Sequence, residues 1–232
     1  MGSGERGRTS VRTLLFGTSY VDTEDRRWLV DKWIRTMRGL NPNHDILIVD
    51  SASPLPIDDL GLCSILQLGD NIGHLGSTGK DGWGRAFTAG LQRAADGLYD
   101  YVGLVDTDIL FAFPATPIVA FMAENSINYA TVRGDPYPWM EGGIVFMNVK
   151  WMRDTAFIAK YGWERMTSTE FPEYRLMDIA GNELYDLCLE GRRNDDGAIT
   201  PENAHTVEWI THANRGVYEA FLKAQGMRDL LV

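Results

Sequence analysis

The alternation of short apolar runs with amphipathic stretches predicts an α/β protein. Continuous apolar runs favour buried strands, and apolar residues at helical spacing favour helices between them. Strands are predicted at 11–17, 45–50, 64–68, 101–105, 127–132, 144–149 and 207–211. Helices are predicted at about 24–38 and 85–97, from 116, at 179–190 and from 215. Because helices separate the strands, we expect a Rossmann-like domain with a mainly parallel central sheet flanked by helices.

The length and composition fit one domain. The chain has 232 residues, 44% of them hydrophobic, which is enough for one sizeable core. Residues 1–10 are polar and Gly-rich, so we expect a flexible tail there and a single domain over 11–232. No apolar run approaches the ~20 residues of a membrane-spanning helix, and no signal peptide is evident. We therefore expect a cytoplasmic protein.

Charge and cysteine content limit the partners. The formal net charge of −10 repels nucleic acid, and it also repels nucleotides unless local cations or a metal ion bind the phosphates. The two cysteines, Cys63 and Cys188, are too few for a disulfide framework or a zinc site. Both lie in apolar runs, and we expect buried free thiols.

Several polar residues follow predicted strands directly. Thr18, Asp50, Asp106 and Asp108 all stand at such ends. In open α/β sheets, ligands bind at the carboxyl ends of the strands. The sequence therefore predicts that these side chains share one rim of the sheet.

The segment Asp106-Thr107-Asp108 is the strongest candidate for chemistry. Two carboxylates two positions apart, after an apolar strand, can reach one hard cation such as Mn²⁺ or Mg²⁺. His212 follows an apolar run near the carboxyl end and could complete the coordination with a neutral imidazole. The alternatives are a solvated turn for the aspartates and a structural or surface role for the histidine.

The glycine-rich stretch over 71–84 suggests contact with a phosphate. It does not match the phosphate-binding loop of nucleotide triphosphatases, because His74 and Asp81 stand where that pattern requires Gly and Ser or Thr. Lys80 and Arg85 could supply charge for a diphosphate, or they are solvated cations of a surface loop. Further along, Gly142 and Gly143 permit either close approach of a substrate or a tight turn.

Several short segments follow the predicted strands and open the predicted helices in a specific order and spacing. These segments are Gly17-Thr18-Ser19-Tyr20, Ile48-Val49-Asp50-Ser51, Asn71-Ile72-Gly73, Gly84-Arg85-Ala86-Phe87-Thr88-Ala89-Gly90-Leu91 and Val102-Gly103-Leu104-Val105-Asp106-Thr107-Asp108. Through them, the chain over residues 11–215 resembles the GT-A family of nucleotide-sugar-dependent glycosyltransferases, which carry an Asp-x-Asp motif.

The resemblance implies a role for each matching position. Contacts to the nucleoside are implied for Thr18, Tyr20 and Asp50, and a contact to the diphosphate or base for Arg85. Mn²⁺ or Mg²⁺ would be held by Asp106, Asp108 and His212, with Asp106 also touching the ribose. Gly142 and Gly143 would lie beside the donor sugar.

The general base is the point where the chain departs from the family. Inverting members often carry two adjacent acids before a late helix, whereas the best alignment here falls on Gly181-Asn182-Glu183-Leu184, with one acid. Glu183 is our first candidate for the base and Asp178 the second. A retaining enzyme would not need this base, so the stereochemistry stays open.

The expected function is a metal-dependent glycosyltransferase of the hexosyltransferase type. UDP-sugars are favoured as donors because UDP is common among metal-dependent members, and the acceptor would be a hydroxyl of a glycan or glycolipid. Peripheral association with a membrane-bound acceptor stays open. Loops near 70–80 and 134–141 are expected to cover the donor. Two alternatives are a non-catalytic module that binds nucleotide sugar and metal, and a phosphatase with an Asp-x-Asp motif.

Overall fold

A computed structural model describes residues 11–133, 140–195 and 197–231. The predicted tail over 1–10 and most of the predicted loop near 134–141 lie outside these residues. The strands in chain order are β1 (Thr13–Ser19), β2 (Asp45–Asp50), β3 (Ser64–Gln67), β4 (Tyr101–Val105), β5 (Leu110–Phe111), β6 (Tyr129–Arg133), β7 (Met140–Asn148), β8 (Leu184–Asp186), β9 (Gly191–Arg193) and β10 (Trp209–Thr211). The helices are α1 (Glu24–Leu40), α2 (Leu75–Thr78), α3 (Gly82–Asp96), α4 (Ala115–Asn125), α5 (Val149–Asp154), α6 (Phe157–Tyr161), α7 (Pro172–Ala180) and α8 (Arg215–Ala224).

The central sheet has seven strands in the order β3-β2-β1-β4-β7-β6-β8. Strands β3, β2, β1 and β4 run parallel, and so do β6 and β8, whereas β7 is antiparallel to both of its neighbours. The predicted α/β fold with a mainly parallel sheet is confirmed. A small second sheet, in the order β5-β10-β9, packs beside it.

Helices cover both faces of the central sheet. Strands β1 and β4 are buried along their whole length, as expected of parallel strands with a helical layer on each side. On one face, the predicted apolar side of α1, including Trp33 and Ile34, packs into a core with Phe221 of α8. On the other face, Phe87 of α3 packs with Phe157 of α6.

Helix α1 begins where its sequence favours a start. The Thr23 hydroxyl accepts a hydrogen bond from the Arg26 backbone N–H at 3.3 Å, and the first turn is acidic. Such a cap satisfies a donor that the first turn leaves unpaired, and acidic side chains suit the helix dipole.

Two sequence-based predictions are wrong. The segment 179–190 is not a helix: α7 ends at Ala180, Gly181 adopts a φ of 53°, and the chain continues into β8. Cys188 is exposed rather than buried, and Cys63 is half-buried, although both are free thiols. Within the described ranges, no helix has both the length and the apolar character needed to cross a membrane.

Candidate functional site

Two neighbouring cavities, each of about 470 Å³, open where β1 and β4 end. They share His74, Trp83, Asp106 and Asp108 as a common wall. The first cavity lies toward β1 and α1, and its other lining residues include Thr18, Ser19, Tyr20, Arg26 and Ser51. The second cavity lies toward β7 and α7, and its other lining residues include Glu141, Gly142, Gly143, Phe171, Glu173, Arg193 and His212.

Asp106 is fixed by hydrogen bonds from two different elements. Its Oδ1 accepts from the Thr18 backbone N–H at 3.3 Å and from the Thr18 hydroxyl, and its Oδ2 accepts from Trp83 Nε1 at 2.5 Å. Burial and then the charge of Asp108 raise the pKa of Asp106, whereas the bonds from Thr18 and Trp83 lower it. Two carboxylates crowded in this way favour a nearby cation.

Asp108 and His212 lie close together although they are far apart in the sequence. The Asp108 carbonyl accepts hydrogen bonds from the hydroxyls of Thr211, at 3.1 Å, and Tyr218, at 2.8 Å. His212, the residue after Thr211, has a φ of 57°, and its Nε2 lies 3.7 Å from Asp108 Oδ2. A left-handed backbone at a residue other than glycine is uncommon and is often found at functional sites.

The ring of His212 is oriented by a second carboxylate. His212 Nδ1 hydrogen-bonds to Asp195 Oδ1. Because an ionised carboxylate only accepts, Nδ1 carries the proton and the Nε2 lone pair faces Asp108 when the ring is neutral. A carboxylate behind the imidazole is the usual arrangement for a metal-binding histidine.

These residues fit a divalent cation that completes its coordination with substrate oxygens. Asp108 could supply an oxygen and His212 a nitrogen, while both Asp106 oxygens already accept hydrogen bonds. Within the described part of the chain, no three His, Cys, Asp or Glu side chains are arranged as a complete metal site. Mg²⁺ in particular is commonly held by one or two carboxylates together with phosphate oxygens.

Gly142 and Gly143 allow the chain to pack tightly beside Asp106. A Cβ at Gly143 would lie 2.6 Å from Ile109 Cδ1 and 3.3 Å from Asp106 Cβ. A Cβ at Gly142 would lie 3.2 Å from Glu173 Cγ. Both glycines line the second cavity, and their lack of side chains brings Glu173 of α7 close to β7.

A buried ion pair borders the second cavity. Glu141 is 4% exposed, and its Oε1 accepts from the Gly143 backbone N–H at 3.1 Å. Arg193 Nη1 lies 3.3 Å from Glu141 Oε2, and Arg193 Nη2 lies 3.0 Å from His212 Nε2. Burial raises the pKa of Glu141, and the charge of Arg193 opposes this.

Sequence analysis did not identify Glu141, Arg193, Asp195, Trp83 or Glu173. The sequence positions of two of them could have pointed to the site. Glu141 directly precedes the glycine pair, and Trp83 lies in the glycine-rich stretch before a helix. The partners Glu141 and Arg193 are 52 positions apart. The pairing of β9 with β10 places Arg193 opposite Thr211 and next to His212.

Three residues predicted to bind the nucleotide sugar do not line either cavity. The Asp50 carboxylate accepts from the backbone N–H and hydroxyl of Ser53 and from Gln67 Nε2. Arg85 Nη1 pairs with Asp70 Oδ1 at 2.6 Å, and Lys80 is exposed on its loop. Their contacts to the donor therefore stay predictions, whereas Thr18 and Tyr20 do line the first cavity.

The two residues predicted as the general base also lie outside both cavities. Asp178 is exposed on α7. Glu183 is exposed near the sheet edge, where its Oε2 accepts from Asn128 Nδ2 at 2.8 Å. For Glu183, the cause is the turn at Gly181, which directs the chain from α7 to β8. Another acid of α7, Glu173, lines the second cavity.

Comparisons with known proteins find similarity to solved structures only. No protein-family profile matches the sequence, and no curated protein matches it. The bifunctional glycosyltransferase WbbM, in its apo form, has a TM-score of 0.59 at 11% identity, over 97% of this chain and 51% of that one. For residues 1–349 of TarS from S. aureus, the TM-score is 0.56 at 12% identity, over 92% and 64%.

A third similar structure is close in length to this chain. The galactosyltransferase LgtC, in complex with donor and acceptor sugar analogues, has a TM-score of 0.55 at 11% identity, over 92% of this chain and 95% of that one. By contrast, this chain spans 51% of the WbbM chain and 64% of the TarS chain. Identities this low establish likeness of fold alone. The chain therefore has the α/β fold of the GT-A-type glycosyltransferases.

Proposed function

We propose that this protein is a glycosyltransferase that moves a sugar from a nucleoside-diphosphate sugar to a hydroxyl of a glycan or glycolipid, with Mn²⁺ or Mg²⁺. The observation that carries the proposal is the pairing of Asp108 with His212, 3.7 Å apart, beside two joined cavities at the end of β4. On a GT-A-type fold, this arrangement suits a diphosphate whose oxygens complete the coordination of a metal ion.

The first cavity would bind the nucleoside. Polar residues line this cavity together with apolar ones, namely Thr18, Ser19, Ser51 and Asn71 with Leu29, Val30 and Ala86. Such a mixed lining suits a ribose and a base. Tyr20 lies at the same wall and is 37% exposed, so it is available to cover the base. UDP is the favoured nucleotide, and one similar structure, TarS 1–349, was solved in complex with UDP.

The shared wall would meet the diphosphate. When bound, the divalent ion neutralises the negative charge that develops on the leaving diphosphate. Asp108 and the Nε2 of His212 would hold it, with Asp195 fixing the ring of His212. Thr18 and Trp83 hold Asp106 beside this position, so that it can accept a hydrogen bond or contact the ion without moving. Such fixed groups stabilise developing charge without reorganisation.

The second cavity would hold the donor sugar and the acceptor hydroxyl. Gly142 and Gly143 of β7 line this cavity, and so does Glu173 of α7. We assign the general base of an inverting reaction to Glu173 in place of Glu183 or Asp178. Its carboxylate would take the proton of the acceptor hydroxyl as the new glycosidic bond forms.

The substitutions Glu173→Gln and Glu183→Gln test this assignment. Loss of the base lowers kcat by about 10²-fold or more, whereas donor binding is unchanged because amide and carboxylate are nearly isosteric. We expect this loss for Glu173→Gln and activity within about twofold of wild type for Glu183→Gln. Full activity of Glu173→Gln would exclude Glu173 as the base and favour a retaining reaction.

A thermal-shift screen of UDP-, GDP- and dTDP-sugars, with and without Mn²⁺, tests the function itself. A ligand that binds only the folded protein raises its stability by mass action. We expect a shift for one nucleotide class, dependent on metal, lost in Asp108→Ala and kept in the control Asp154→Ala, an exposed carboxylate on α5. The absence of any shift would contradict the proposal. A shift without sugar transfer or donor hydrolysis would favour the non-catalytic binding module.

The phosphatase alternative is disfavoured by the position and context of the motif. In that family the first aspartate attacks phosphate, and the motif usually follows the first strand, whereas Asp106 follows β4. The sequence also departs from that family because Leu110 stands where Thr or Val is usual.

A further inference from the structure

The guanidinium of Arg193 lies at the nitrogen that His212 would offer to a metal ion. Arg193 Nη2 is 3.0 Å from His212 Nε2, and the same Nε2 is 3.7 Å from Asp108 Oδ2. Since His212 Nδ1 is bonded to Asp195, Nε2 is the nitrogen available to a ligand. An imidazole nitrogen has one lone pair, so it can accept from Arg193 or bind a metal ion, but not both.

Arg193 is held in this position by carboxylates on two sides. Its Nη1 lies 3.4 Å and 3.3 Å from the two oxygens of the buried Glu141. Its Nε lies 3.8 Å from Asp195 Oδ2, so Asp195 contacts both Arg193 and His212. Arginine is always charged at physiological pH and forms fork-shaped contacts with carboxylates. The protein thus carries its own cation between Glu141, Asp195 and His212.

A divalent ion between Asp108 and His212 would meet this cation directly. Two positive charges a few ångströms apart repel strongly in a partly buried site. The ion must therefore displace the guanidinium from Nε2, and only molecules with Arg193 displaced are competent to bind. The apparent dissociation constant is then the intrinsic one divided by the competent fraction.

We infer that Arg193 is an internal cation that competes with the divalent metal ion for His212 and keeps metal affinity low until an anionic donor arrives. The inference rests on the proposed function, because it assumes that Asp108 and His212 hold the metal. The diphosphate of the donor would give Arg193 a new anionic partner and leave Nε2 to the metal. Metal and donor would therefore bind cooperatively, each favouring the arrangement that the other requires.

Titration with Mn²⁺, followed by the electron paramagnetic resonance signal of the free ion, tests the inference without any measure of activity. Arg193→Met removes the guanidinium, and Arg193→Met/Glu141→Gln also removes the buried charge that would otherwise lose its partner. The double variant has the same net charge as wild type, so a change in affinity cannot come from overall charge. Arg192→Met, on the same strand and outside both cavities, is the control for the single variant.

We expect both Arg193 variants to bind Mn²⁺ alone with a dissociation constant at least about tenfold below that of wild type and of Arg192→Met. Addition of UDP should strengthen Mn²⁺ binding in wild type and have less effect in these variants. If all four proteins bind Mn²⁺ with the same affinity, the inference fails and the proposed function stands. If none binds Mn²⁺ with or without UDP, the inference fails together with the metal dependence of the proposed function.

Discussion

At the scale of single residues, the Oδ2 atom of Asp106 is held in place by one indole N–H. Trp83 Nε1 donates to Asp106 Oδ2 at 2.5 Å, and the indole stacks on Phe87 with ring centroids 5.0 Å apart. Trp83→Phe keeps a stacked ring and removes the donor. A hydrogen bond to a charged group contributes about 1.5–3 kcal/mol, and we expect a coupling free energy of that size between Trp83→Phe and Asp106→Ala. Urea unfolding of both single variants and the double variant measures it, and strictly additive effects would contradict the role of Trp83.

A second residue, Asp81, makes stability depend on pH. It is 1% exposed and caps α3 by accepting from the Gly84 backbone N–H at 2.8 Å, and its other oxygen accepts from the Tyr161 hydroxyl at 2.7 Å. Burial raises the pKa of Asp81, although these hydrogen bonds oppose the rise. A carboxyl with a raised folded-state pKa binds its proton more tightly when folded. Its contribution to stability is therefore largest below the unfolded-state pKa of about 3.9 and is lost as the pH rises through the folded-state value.

We expect Asp81→Asn to remove this pH dependence and keep the cap. The free energy of unfolding of the variant, relative to wild type, should rise between about pH 4 and pH 7. Asp81→Ala, which cannot accept from Gly84, should be about 1–2 kcal/mol less stable than Asp81→Asn throughout that range. Urea titrations at several pH values measure both differences. A difference between Asp81→Asn and wild type that is constant with pH would show that Asp81 titrates alike in both states.

Sequence patterns located some residues of the candidate site because position along a strand fixes position in the sheet. Thr18, Asp106 and Asp108 could be placed at one rim from the ends of β1 and β4, and the structure brings them together. Glu141 and Arg193 could not be paired in this way, because their contact depends on how β9, β10 and β7 meet in space. Likewise, spacing indicates an acid near a late helix without showing which acid faces the cavity.

At the scale of elements, α7 ends at a glycine whose backbone conformation is unusual for other residues. Gly181 follows α7 with φ 53° and ψ −126°, which side chains with a Cβ rarely adopt. Gly181→Ala should therefore destabilise the protein by about 1–2 kcal/mol, although a Cβ there would meet no atom within 4 Å. The matched control is Gly39→Ala in α1, which also has open space and should stabilise by about 0.5 kcal/mol. Thermal unfolding compares them, and equal effects would show that backbone conformation is not the cause.

The elements that could be predicted are those whose pattern extends over many residues. Helix α1 and strands β2 and β4 were predicted within about two residues, because their apolar positions recur at a clear period. The prediction of a helix over 179–190 is wrong because apolar and acidic residues recur there as they would in a helix, whereas Gly181 ends α7. The short strands β8 and β9 obtain their stability from pairing with distant strands, which local sequence does not encode.

At the scale of the whole molecule, the net charge of −10 opposes an anionic ligand. Arg26 is the one permanent cation among the described residues that line the first cavity, and it already pairs with Asp22 at 2.9 Å. In the neighbouring cavity, Arg193 already pairs with Glu141 and Asp195. The long-range field is therefore repulsive for UDP when no metal is present. Salt screens such a field, since the Debye length falls from about 30 Å at 0.01 M to about 10 Å at 0.1 M.

We therefore expect metal-free UDP binding to strengthen with salt, the reverse of the behaviour of a cationic phosphate site. With a chelator present, the dissociation constant for UDP should fall severalfold between about 20 mM and about 300 mM salt, because screening weakens the repulsion. Uridine lacks the phosphates and serves as the control, with an affinity nearly independent of salt. Isothermal titration calorimetry measures both. Weaker UDP binding at high salt would show instead that cations such as Lys80 and Arg85 do reach the diphosphate, which would restore the role that their positions in the sequence predict.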